Sequence, residues 1–185
     1  IKRHLAASAD RGRILDRDEL YRYLCLNLLS VQADWDLAKS AITRLETDNH
    51  LFNGDTEAVK SSLRDAGYRG RRKPKWLVEA RHRYYDETSP QFQIPIDGLV
   101  AGLRDQLSVP NKRREMLKKK ISGFGLKTAS HFLRGVNLSE NQLAILDTHV
   151  VQQLLGFPEL KLEANRLVRF NAKGKPKHPR NSEYL

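Results

Sequence analysis

Cysteine and methionine each occur once in these 185 residues, as Cys25 and Met116. A single thiol excludes an intramolecular disulfide and suits a reducing, intracellular setting. It also excludes an iron–sulfur cluster held by four cysteines. The only methionine lies deep in the chain and the first residue is Ile1, so the native start is expected upstream of this sequence. No apolar run is long enough to span a bilayer, and no secretory signal is visible, so no membrane partner is expected. Strand-like alternation of useful length is missing, as are internal repeats and an inter-domain linker. No set of histidines has metal-ligand spacing, so neither a catalytic metal nor a cofactor is expected. Acidic residues are outnumbered, 22 against 33 lysines and arginines, which leaves a net charge of +11 and a pI of about 9.9. That imbalance calls for an anionic partner, and nucleic acid is favoured over a membrane.

Helical patterns fill the chain. Asp16 followed by Glu19 is a capping-box signal, and it predicts a helix to about Ser30 with Leu20, Tyr21, Leu24 and Leu28 on one face. Further helices are expected over roughly 35–45, 56–66, 72–85, 96–107, 111–121 and 127–134. Asn53-Gly54-Asp55 reads as a turn and Gly67 as a stop. The tail from Asn171 is rich in lysine and arginine and reads as irregular. The expected class is all-α, with about eight short helices.

The most informative stretch runs from Lys118 to Val151. Gly123 and Gly125 sit in a short break between two helical patterns, with Lys118, Lys119 and Lys120 crowding the approach. Helix, Gly-x-Gly turn, helix is a helix-hairpin-helix pattern. Glycine permits the positive φ of such a turn and a close approach to the backbone. The N–H groups at the start of the second helix then form an anion site, and a DNA phosphate is its natural occupant. Lys127 follows the turn. Asp147 stands twenty residues later, after the apolar run Leu143 to Leu146, and reads as the N-cap of a helix over 148–155.

GFGLKTASHFL followed by ILDTHV resembles the signature of the helix-hairpin-helix DNA glycosylases of base-excision repair. The resemblance covers roughly Glu19 to Val151 and points most to the compact archaeal-type 8-oxoguanine glycosylases. In bifunctional members the lysine at the Lys127 position is the nucleophile, and the aspartate at the Asp147 position is the catalytic carboxylate. The loop between them departs from the family's Gly/Pro-rich stretch: RGVNLSENQ has one glycine and no proline. The last stretch of the chain also differs from the compact archaeal type. The fold implied is two helical subdomains with the active site in the cleft between them. Residues 29–135 would form a six-helix barrel, and 1–28 with 136–185 the other half. The partner implied is double-stranded DNA containing a damaged base, bound by a monomer. The single cysteine separates this chain from the endonuclease III branch, which carries an iron–sulfur cluster.

Two more segments match. LLSVQ is similar to the family's LLS-x-Q, whose glutamine enters the DNA stack beside the flipped nucleotide, so Gln32 is the candidate wedge. Gly67-Tyr68-Arg69-Gly70-Arg71-Arg72 is similar to the Gly-Tyr-Arg segment of 8-oxoguanine glycosylases. It would meet DNA with Tyr68 stacking and Arg69, Arg71 and Arg72 on phosphate. Gly123, Gly125 and Lys120 would hold a phosphate at the hairpin. Trp35, Phe52, Trp76 and Phe132 read mainly as core aromatics, with Phe132 and Trp35 as candidates for lining a base pocket. The function implied is excision of 8-oxoguanine with strand cleavage at the resulting site. The alternatives are a glycosylase for another lesion and a non-catalytic DNA-binding protein. A phosphate clamp alone needs no carboxylate twenty residues after the lysine, which argues against the last.

Overall fold

The structure is a computed structural model, and it describes residues 15–106 and 109–140. Eight helices lie among these residues, with no strand. They are α1 (Arg17–Ser30), α2 (Trp35–Thr47), α3 (His50–Asn53), α4 (Thr56–Asp65), α5 (Lys73–Tyr84), α6 (Ile96–Gln106), α7 (Pro110–Lys120) and α8 (Leu126–Gly135).

Local chemistry sets the boundaries. The Asp16 carboxylate accepts from the Glu19 N–H at 2.8 Å, and the Glu19 carboxylate accepts from the Asp16 N–H at 3.1 Å. This is the expected capping box, and it satisfies two amides that a helix start leaves open. Asp34 and Asp55 cap α2 and α4 with their carboxylates alone, accepting from the N–H groups of Asp36 and Leu37 and of Ala58. Gly67, at φ +76°, ends α4, and the Tyr68 N–H returns to the Leu63 carbonyl at 2.8 Å. Pro110 stands in the first turn of α7, where its missing N–H costs nothing. The four-residue α3 was not expected, and only its last residue, Asn53, fell in the expected turn. It is too short to show helical periodicity.

Helix α1 is the centre of the packing. It lies against α2, α5, α6 and α8, and Tyr21, Leu24, Cys25, Leu28 and Leu29 along it are fully buried. Each buried leucine contributes about 1.5–3 kcal/mol relative to an exposed one. The buried face of α1 joins one core that extends to Leu138. Residues 1–14 and 141–185 of the expected second half lie outside the described residues. Gly135, at the end of α8, allows the closest approach. A Cβ there would stand 2.0 Å from the Tyr23 hydroxyl oxygen, which donates to the His131 carbonyl at 3.1 Å. The buried Arg113 guanidinium donates to the carbonyls of Leu103 and Leu138 and pairs with Glu140, tying α6 to the turn after α8. Burial pushes the Cys25 thiol up to about 12, which leaves it an inert part of the core.

Candidate active site and nucleic-acid interface

The expected hairpin is present between α7 and α8, and α5 holds it from below. Tyr84 donates to the Lys120 carbonyl at 2.7 Å, and Ser122 donates to Glu79 at 2.9 Å. Gly123 has φ +89°, and a Cβ there would meet the Trp76 ring at 2.4 Å. This position therefore needs glycine twice over, for its conformation and for the indole packed beneath it. Phe124 is buried and meets Phe132 edge-on, with ring centres 5.8 Å apart.

Gly125 differs. Its φ is −96°, an ordinary value, and nothing lies within 4 Å of where its Cβ would be. The fold does not require glycine here. What the missing side chain leaves clear is the outer face of the turn and the start of α8, whose first N–H groups have no side-chain cap. An uncapped helix start of this kind attracts an anion. Lys119 and Lys120 are exposed at the end of α7 beside it. Lys127 is the second residue of α8 and is partly exposed. Asp147 lies outside the described residues.

Helix α1 ends at Ser30, and the chain turns sharply. Gln32 is exposed, at φ +58° in the left-handed region, three residues before the exposed Trp35. Trp35 is 39% exposed at the first position of α2, so it is not a core residue. Its neighbour Asp34 spends its carboxylate on capping α2.

The loop of residues 67–72 is sewn to this turn, and here one expectation is corrected. Tyr68 is only 6% exposed, and its hydroxyl donates to the Leu29 carbonyl. Its ring is enclosed, so it has no open face for a base, and the stacking role expected for it does not fit. Phe132 is corrected too. It is fully buried, with Tyr23 stacked on its ring and Phe124 meeting it edge-on, and it has no surface open to a pocket. Arg69, Arg71 and Arg72 are exposed, as expected, and none pairs with a carboxylate among the described residues.

Nothing in the sequence sets Lys73 apart from a surface lysine. It is 7% exposed, and its ammonium group reaches the carbonyls of Leu28, Leu29 and Val31 and the Tyr68 hydroxyl. Burial pushes its pKa down to about 8. Together Lys73 and Trp76 explain how separate segments meet. They are three residues apart, about 4.5 Å along a helix axis. Lys73 grips the end of α1 just before Gln32, while Trp76 packs under Gly123. The first turn of α5 thus ties the turn before Gln32, the arginine loop and the hairpin that leads to Lys127 to one another.

All-helical architecture, a hairpin built on Gly123 and Gly125, and a lysine directly after it define the helix-hairpin-helix glycosylase fold. A solved structure of the 8-oxoguanine DNA glycosylase of Methanocaldococcus jannaschii has the same fold, with a TM-score of 0.63 at 22% identity. The similarity covers 92% of this chain and 66% of that one. The sequence profile of a family described as 8-oxoguanine DNA glycosylase matches residues 4–166, and the chain belongs to that family. It is similar to proteins named 8-oxoguanine DNA glycosylase/AP lyase from Fusobacterium nucleatum and Thermoplasma volcanium. The first is 30% identical over 137 residues, which is 74% of this chain and 58% of the relative. The second is 28% identical over 153 residues, 82% of this chain and 66% of the relative. The chain therefore spans about three fifths to two thirds of the length of these relatives.

The two glycines make contrasting expectations. Gly125→Ala should leave stability within about 0.5 kcal/mol, because its φ is ordinary and its Cβ would point into open space. Duplex affinity should fall several-fold, since the methyl group would stand where a phosphate approaches. Gly123→Ala should instead cost more than about 1 kcal/mol in stability, through positive φ and the Trp76 contact. Denaturation midpoints and duplex titrations check both. Affinity of the unaltered protein should also fall with salt, with a log–log slope of about −0.9 per phosphate neutralised. A flat salt dependence would contradict the phosphate reading of the hairpin and of the arginine loop.

Proposed function

We propose that this chain acts as a monomer on duplex DNA, removes 8-oxoguanine and cleaves the resulting site. The observation that supports this most is the convergence at the first turn of α5. A wedge, a phosphate anchor and a nucleophile are what an enzyme needs to extrude a nucleotide and attack its sugar, and the segments that carry Gln32, the hairpin and Lys127 are all joined to that turn.

In this reading the hairpin and Arg69, Arg71 and Arg72 grip the backbone, and Gln32 fills the gap left by the extruded nucleotide. Trp35, exposed beside Gln32, is available to a base. The neutral Lys127 amine attacks C1′ of the damaged nucleotide. The glycosidic bond breaks, and its electron pair leaves with the base, which takes up a proton. The nitrogen then loses a proton, its electron pair forms the C1′=N bond as C1′–O4′ breaks, and O4′ keeps that bond's pair and takes up the proton, which leaves a protonated Schiff base between Lys127 and C1′. This linkage acidifies C2′, whose proton is lost as the C3′–O3′ bond breaks and the 3′ phosphate departs. Asp147 would take the lysine proton and face the positive charge that develops on the sugar. The lysine chemistry needs no cofactor.

The choice of 8-oxoguanine is supported by the family profile and by the names of the relatives. The lesion differs from guanine in having an N7–H donor where guanine has an acceptor. A site with an acceptor aimed at that proton would reject guanine strongly. Excision is to be measured side by side on duplexes carrying 8-oxoguanine, thymine glycol, uracil or an alkylated adenine. The expected result is fastest release of 8-oxoguanine. Faster release of another base would assign a sister specificity. Release of none would point to a DNA-binding protein without this chemistry.

A further inference from the structure

Lys73 follows three exposed arginines, yet its side chain turns inward. Its Nζ stands 2.9 Å from the Leu28 carbonyl oxygen, 2.9 Å from that of Leu29, 2.5 Å from that of Val31 and 2.7 Å from the Tyr68 hydroxyl oxygen. The three carbonyls belong to the end of α1, where a helix leaves acceptors without partners and presents the negative end of its dipole. Tyr68 acts as a second arm, donating to Leu29. No carboxylate among the described residues pairs with the ammonium, and burial alone lowers its pKa. Enclosing an ammonium in this way costs stability, and an apolar side chain of similar size would cost less. A fold under pressure only to be stable has little reason to keep the charge there. What the charge secures is geometric. The carbonyl of Val31 is fixed, and the next residue, Gln32, stands exposed in a backbone region that glutamine rarely occupies.

We propose that Lys73 is a positioning residue for Gln32, locking the end of α1 so that the glutamine is presented to the base stack before DNA arrives. This rests on the reading of Gln32 as the group that fills the gap. The benefit is preorganisation: a side chain already held in place need not be ordered during binding. The arrangement also joins two tasks. Lys73 directly follows the arginines that would grip phosphate, so the segment that anchors the backbone also sets the wedge.

The test uses a duplex bearing a tetrahydrofuran abasic analogue with 2-aminopurine as its neighbour, a base whose fluorescence rises when it is unstacked. The unaltered protein should raise the signal. Gln32→Ala and Lys73→Met should each reduce that rise by about five-fold or more, and Lys73→Met should keep its affinity for undamaged duplex within about two-fold. The doubly substituted protein should lose no more than the worse single variant, because the two residues act through one event. A merely structural lysine would lower the melting temperature and all DNA binding together. The inference is overturned if Lys73→Met gives the full signal, or if the two losses multiply in the double variant. It is also overturned if neither Lys73→Met nor Lys73→Gln folds, since the lysine would then serve the fold. Full signal from Gln32→Ala would remove the wedge role itself, and this inference with it. Full signal from Lys73→Met alone would leave the wedge role standing.

Discussion

Lys127→Gln is expected to abolish the covalent complex that borohydride traps between the unaltered protein and 8-oxoguanine duplex. Only an amine can form the reducible Schiff base, and glutamine keeps a polar side chain one atom shorter without that chemistry. Excision should fall with it, by about 10³-fold or more, as happens when a nucleophile is removed. Folding should not confuse the result. Lys127 is partly exposed at the second position of α8, where glutamine forms helix about as well as lysine. The melting curve and the affinity for undamaged duplex should therefore stay close to those of the unaltered chain. Equal trapping of the variant would take the nucleophile's role away from this residue.

Asp147→Asn should separate chemistry from folding in a different way. The sequence places Asp147 at the start of a helical pattern, and asparagine caps a helix about as well as aspartate. Stability is therefore expected to change little. Asparagine cannot accept the lysine proton, nor can it offer a negative charge to the developing sugar cation. Excision should fall by about 10²–10⁴-fold, the usual range for a positioned acid or base. A fully active variant would reduce Asp147 to a cap. The chain leading toward it starts from a fixed point, because Arg113 holds the Leu138 carbonyl and the Glu140 carboxylate.

How much of this was legible beforehand depended on the kind of signal. Helix starts were plain wherever a short side chain caps the backbone, as at Asp16. The hairpin was plain as well, because Gly-x-Gly between two amphipathic patterns has few other readings. The reason for each glycine was not. Sequence treats Gly123 and Gly125 alike, whereas the fold demands only the first, through Trp76 and a positive φ. Trp35 was misjudged because apolar residues at helical spacing look the same whether the first of them is inside or at the rim. Tyr68 erred in the opposite direction. An aromatic ring in a basic loop suggests stacking, but its hydroxyl found a carbonyl of α1 and drew the ring inward. Lys73 was the least visible. A lysine beside arginines reads as solvated, and only tertiary packing reveals that the open end of α1 lies within its reach. Phosphate-binding residues advertise themselves by type and spacing. A residue that serves another's position is defined by a distance, which no spacing encodes.

The two tryptophans of this chain are placed as an experimenter might have chosen. Trp35 stands in water three residues after Gln32, and Trp76 lies against the underside of the hairpin. Indole emission follows the polarity around the ring, so the protein contains an optical reporter in each of the two segments that would meet DNA. Trp76→Phe would leave emission from the Gln32 turn alone, and Trp35→Phe would leave emission from the hairpin alone. Rapid mixing of each with duplex gives a time course for one contact at a time. The order of the two signals would tell whether the backbone is gripped before the stack is opened or in the same step.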